Sequence, residues 1–216
     1  MSDEALRALE RAFEESHAPA DEAAWLAARE RAGRLERSRL ELAAFCGHKA
    51  ARLALGAAAP REEPDIRKWC HALDRYGLEA CVRAAHAAAL NVVQLWAERP
   101  DPAVAYLGEA SPGEQLAAVQ EWIECPCERH VEEALRTLPV SRGGITSEHG
   151  GHAWTFAHDA AGDAVLTIRR PSFVWNTLLN AALARGRALV DPSLADRAHA
   201  MVREVASAAL VAWALG

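Results

Sequence analysis

The chain has 216 residues, 30 acidic against 24 basic side chains, a net charge of −6 and 51% apolar residues, among which alanine dominates. That length can bury a core sufficient to fold without disulfides or a structural metal. The charge balance, with no basic stripe interleaved with aromatics, speaks against phosphate-driven nucleic-acid binding.

Alanine and leucine favour helix and β-branched residues are few, so the chain reads as mainly all-α. Leu6, Leu9 and Phe13 mark an amphipathic helix over residues 3–16. After the His17-Ala18-Pro19-Ala20 break, a longer helical run extends from 21 to 45. Gly47 then interrupts a helical context that resumes over 50–55, and the stretch Leu40–Gly56 resembles the two helices and Gly-His turn of a single ankyrin repeat. No 33-residue period recurs, so the expectation is one helix hairpin and not an array.

A linker at 57–64 precedes an amphipathic helix over 65–76 that carries Ile66, Trp69 and Leu73. In residues 78–98, Leu78, Val82, Ala85, Ala89, Val92 and Trp96 advance by fours and threes, which predicts one long central helix. Ser111, Pro112 and Glu114 form a capping box for a helix that ends near Pro126, and another short helix covers 127–138. Glycine pairs at 143–144 and 150–151 then mark irregular backbone. Two alternating runs, 152–158 and 163–169, flank Asp159-Ala-Ala-Gly162 and predict a small β-hairpin insert within 139–170. Helices return over 172–190 and 192–215, the last eleven residues apolar almost all round and expected to pack on several sides. The organisation expected is a single domain over 1–216, with residues 1–33 peripheral.

Arginine supplies all but two of the basic residues, the exceptions being Lys49 and Lys68. This bias fits the codon usage of a GC-rich bacterial genome. The start Met1-Ser2-Asp3-Glu4 has no apolar signal region, and Cys46, Cys70, Cys81, Cys125 and Cys127 are odd in number and irregularly spaced, as suits reduced thiols in the cytoplasm. The apolar stretch 206–215 is about half of a membrane span.

Three groups carry candidate chemistry. Cys125, Cys127 and His130 offer thiolate and imidazole, the ligands zinc prefers, although Cys-x-Cys is a poorer chelate than Cys-x-x-Cys. Cys81 or His71 would supply a fourth ligand, and small buried apolar cysteines are the alternative reading. Glu148, His149, His152 and His158 crowd the irregular region. On a strand, His152, Trp154, Phe156 and His158 would share one face as a partner-binding surface. Cys46 near His48 and Cys70 beside His71 are sequence neighbours, which does not make a nucleophile–base pair. No phosphate loop, nucleophile elbow or metalloprotease motif occurs, so the chain leans away from enzymes.

Arg83-Ala-Ala-His-Ala-Ala-Ala-Leu-Asn-Val-Val-Gln-Leu-Trp-Ala-Glu-Arg-Pro-Asp101 and, after a polar loop, Gln115-Leu-Ala-Ala-Val-Gln-Glu-Trp122 resemble the helical immunity proteins of bacterial polymorphic-toxin systems. In place of that family's arginine-proline loop signature stands Ala110-Ser-Pro-Gly-Glu114. The resemblance implies a non-catalytic acidic protein that binds and blocks a toxin enzyme. A helical scaffold or regulatory subunit, stabilised by zinc or by no cofactor at all, is the second expectation, and a small helical enzyme the third.

Overall fold

In the computed structural model, which describes residues 3–98, 110–138, 152–188 and 195–216, several helices start or stop at glycines, prolines or capping side chains. Eleven α-helices and three short 3-10 segments occur, with no strand among the described residues. Two compact units emerge, residues 1–64 with 207–216, and residues 65–206.

The first unit contains α1 (Asp3–Ser16), α2 (Pro19–Arg31), α3 (Arg37–Phe45), α4 (Lys49–Leu55) and the end of α11 (Ala195–Leu215). The helical run expected over 21–45 is therefore two helices. Gly33, at φ 69°, closes α2: its own N–H bonds to the Glu30 carbonyl and the Arg34 N–H to that of Arg29. Gly47, at φ 88°, ends α3 in the same way, with Gly47 N–H on Ala44 and His48 N–H on Ala43. His48 then caps α4, its Nδ1 accepting the Ala51 N–H at 3.3 Å. The expected helix hairpin around Gly47 is thus present. Leu26, Leu40, Leu42, Phe45 and Leu210 are buried in this unit, and Arg29 donates to the Leu215 carbonyl at 2.6 Å, satisfying the end of α11.

The second unit contains α5 (Ile66–Leu73), α6 (Leu78–Leu90), α7 (Pro112–Glu124), α8 (Glu128–Arg136), α9 (Ala153–Thr167), α10 (Phe173–Ala188) and the start of α11. The long helix expected over 78–98 stops at Leu90 and gives way to a 3-10 segment, Val93–Glu98. The break is pinned from α10: Arg185 donates through two nitrogens to the Asn91 side-chain oxygen at 2.9 and 3.1 Å. Val82, Ala85, Ala89 and Val92 are fully buried as the stripe requires, but Trp96 is only half-buried.

The segment expected to form a β-hairpin is helix α9, and it packs against α6, α7, α8, α10 and the 3-10 segment Val93–Glu98, so α9 shares the interior of this unit with α6. The physical reason lies in its alanines. Trp154, Ala157, Ala161, Ala164 and Ile168 are buried at steps of three and four residues, and Ala160 is buried beside them, a helical period that the alternating aromatic and histidine positions mask. Three of its buried polar side chains also have partners that the helices supply. Thr155 and Thr167 donate to the carbonyls of His152 and Asp163, and buried Asp163 accepts from Asn180 of α10 at 2.9 Å. The irregular loop expected before it, with Glu148 and His149, lies outside the described residues.

Helix α11 buries Ala198, Val202, Ala206, Leu210 and Ala214, one stripe at four-residue steps, so its end is packed on one side and not on several. Arg197–Leu215 is one helix among the described residues that is long and apolar enough to cross a membrane by length and composition, with a mean hydropathy of 1.2. Its Arg203 guanidinium instead sits 5.5 Å from the ring centre of buried Trp69, a cation–π contact within the second unit.

Candidate functional site

The best-defined constellation of chemistry-bearing residues is at the turn of the α7–α8 hairpin. Helix α7 starts at the expected capping box: Ser111 Oγ accepts the Glu114 N–H, while the Glu114 carboxylate accepts the Ser111 N–H at 2.7 Å. Its inner face buries Leu116, Val119, Trp122 and Ile123. Pro126 stops it, because the residue before a proline is pushed to extended backbone, and Cys125 has φ −141° and ψ 88°. Cys127, also extended, is the N-cap of α8, and its N–H reaches back to the Cys125 carbonyl at 2.8 Å.

Both ends of the hairpin are tied down. At the open end the fully buried Gln115 donates to the Thr137 carbonyl at 3.2 Å. Near the turn, Arg83 of α6 donates to the Ile123 carbonyl at 3.4 Å, and Arg169 at the end of α9 pairs with Glu128 at 2.6 Å.

This geometry brings together the three sequence-predicted ligands Cys125, Cys127 and His130, whose donor atoms all lie within 4.8 Å of one another; neither Cys81 nor His71 belongs to the cluster. His130 Nδ1 is 2.8 Å from the Cys125 carbonyl oxygen and 3.4 Å from the Cys127 sulfur. Nε2 accepts from the Arg129 guanidinium at 2.9 Å and faces Glu133 at 3.8 Å, so the hydrogen-bond network places the proton on Nδ1. The backbone amide of His130 faces the Cys127 sulfur and holds that thiol below its ordinary value. The hydrogen bond between the two thiols raises Cys125. Cys70 and Cys81 contrast sharply, since burial pushes both up to about 12.

Two carboxylates missed in the sequence, Glu121 and Glu133, form a second cluster with His130. Glu133 is one helical turn beyond His130 and could have been found by that spacing. Glu121 is on the preceding helix and becomes a neighbour only through the hairpin. Around them the charge is lopsided: residues 112–138 hold six glutamates against two arginines, a net −4 of the chain's −6. Glu121, Glu124, Glu128 and Glu132 are exposed.

The aromatic group expected on a hairpin face divides on the helix. Trp154 and His158, one helical turn apart, are 6% and 7% exposed and lie against Trp96, with ring centres 5.8 and 5.2 Å away. Exposed His152 stacks on Trp154 at 6.0 Å, while half-buried Phe156 lies round the helix from them. A shared strand face does not exist.

The thiol–imidazole neighbours are also separated by their surroundings. His48 is engaged by the Ala51 amide and by Glu22 at 3.4 Å, and the thiol of Cys70 is far from the range in which a thiolate forms at neutral pH.

Comparisons of the chain with protein-family models, with curated proteins and with solved structures gave no match.

Proposed function

We propose that this chain is a non-catalytic cytoplasmic binding protein that engages a basic protein partner through the acidic α7–α8 hairpin. The carrying observation is the concentration of net −4 on 27 residues of a hairpin clamped at both ends, five of whose six carboxylates are exposed. A predominantly acidic surface steers oppositely charged partners and rejects like-charged ones, which favours rate and specificity over raw affinity. A toxin enzyme with a basic surface is the kind of partner that the resemblance to immunity proteins implies. The reading of a metal-stabilised scaffold is favoured by the Cys125, Cys127 and His130 cluster in the same hairpin.

The test is capture from native lysate by the wild-type chain and by the combined variant Glu121→Gln, Glu124→Gln and Glu132→Gln. A partner with a basic isoelectric point should be held at low salt, released as salt rises, and bound about tenfold or more weakly by the variant, about 1.4 kcal/mol. Equal retention by both proteins, with matching circular dichroism, would remove the hairpin as the contact surface.

A further inference from the structure

We propose that Cys125, Cys127 and His130 form a zinc site that staples the turn between α7 and α8. The observation is geometric and independent of any partner. In tetrahedral coordination with zinc–sulfur near 2.3 Å and zinc–nitrogen near 2.0–2.1 Å, a sulfur and a nitrogen ligand are about 3.5 Å apart. Cys127 Sγ and His130 Nδ1 are 3.4 Å apart already, and Cys125 Sγ completes a triangle with all donor atoms within 4.8 Å. The spacing follows from the backbone. The N-cap and the third helical residue share one face of the first turn, which places Cys127 beside His130, and Pro126 folds Cys125 back toward both.

The surroundings suit a metal-bound imidazole. A ligating histidine gives one nitrogen to the metal and donates the other N–H to a carboxylate, which fixes the ring. Here Nδ1 faces the thiols, while Nε2 faces Glu133 at 3.8 Å, with Glu121 in the same cluster. Zinc entry displaces one proton from each thiol. The Nδ1 proton, now donated to the Cys125 carbonyl, moves to Nε2, from which Glu133 accepts it. Arg129, whose side chain is 72% exposed, then turns away from Nε2 into solvent. Three protein ligands leave the fourth position to water.

The experiment uses the full reduced chain, titrated with zinc against a chromogenic chelator and, separately, with cobalt as a spectroscopic substitute. The expected result is one zinc per chain with an apparent Kd of about 1 µM or tighter, and a cobalt spectrum showing tetrahedral coordination with thiolate-to-metal charge transfer. Zinc should raise the Tm of the wild type, whereas Cys125→Ser, Cys127→Ser and His130→Gln should each weaken binding by about a hundredfold or more and lose the Tm shift. Glu133→Gln should weaken it by about ten- to a hundredfold. Cys125 and Cys127 lie at the turn and His130 and Glu133 in the short helix α8, and an unchanged far-UV spectrum verifies that each variant folds. Zinc affinity weaker than about 100 µM, tight binding retained by the Cys125→Ser/Cys127→Ser double variant, or a cobalt complex without thiolate bands would each overturn the site. None of these readouts requires the basic partner, so loss of one reading leaves the other standing.

Discussion

Gly162 distinguishes helix α9 from the hairpin that the alternating sequence predicts. In a hairpin it would close the Asp159-Ala-Ala-Gly turn, where glycine is favoured because a side chain strains the left-handed backbone. In the structure it is an interior residue of α9, half-buried, and a methyl group built on it would meet Leu138 Cδ2 at 3.9 Å, an ordinary van der Waals contact. Gly162→Ala should therefore stabilise. Replacing glycine by alanine inside a helix gains about 0.8–1.0 kcal/mol. A fully buried methyl would add about 0.8 kcal/mol, of which a half-buried one realises part. A gain of about 1 kcal/mol corresponds to roughly 2–4 °C in Tm for a chain of this size. Thermal melts followed by circular dichroism, paired with urea titrations, measure the change. A fall in Tm by a similar amount would refute the helix at this position and restore the turn.

Trp154→Ala should cost about 3–5 kcal/mol, since the ring is buried against Trp96, whereas Phe156→Ala, at a half-buried position, should cost less than half as much. Equal losses in urea denaturation would contradict that assignment of faces. His86 of α6 is held below its ordinary value of 6.5 chiefly by burial, with the Leu116 backbone opposing and Arg83 assisting. The unfolded chain therefore binds this proton more readily than the folded one. Stability contributed by the neutral ring is present above pH 6.5 and is lost as pH falls from there toward the folded value. His86→Gln should flatten that part of the stability curve, whose slope from one group is at most about 1.4 kcal/mol per pH unit. An unchanged slope between pH 6.5 and 5 would show that other groups carry it.

What could be read from the sequence was whatever the backbone enforces locally. The Ser111–Glu114 box, the stop before Pro126, and the Gly47 turn are chemical signals spanning a few residues, and each appears where the residues place it. The helical period of α9 is carried by its small residues and not by its large ones. Trp154, Phe156 and His158 alternate, but 154 and 158 also satisfy helical spacing, and the alanines that decide the period have no contrast in a pattern of large and polar residues. The end of α6 was hidden for another reason: Arg185, which holds Asn91, comes from a helix 94 positions along the chain. At the candidate site, the Cys-x-Cys-x-x-His motif was visible, and its compact triangle depends only on Pro126 and the α8 N-terminus. The involvement of Glu121 required the hairpin to fold first.

The acidic surface and the thiol–imidazole cluster occupy one hairpin, and their electrostatics do not conflict. Two thiols and a neutral imidazole carry no charge, and zinc entering with the loss of two thiol protons adds none, so metal loading leaves the net −4 of residues 112–138 unchanged. Under the two proposals, a bound metal would constrain the hairpin and would not quench the field proposed to attract a basic partner. Glu121 and Glu133 mark where the two roles meet, since both contribute to the negative surface and both lie beside His130. Glu133→Gln consequently weakens a metal site and removes one surface charge together, whereas Glu124→Gln removes a charge only, because Glu124 is outside the His130 cluster and bonded to Gln120. Comparing those two single substitutions separates the contributions. A partner affinity that follows charge alone falls equally for both, and one that depends on a stapled turn falls further for Glu133→Gln, and only when zinc is present.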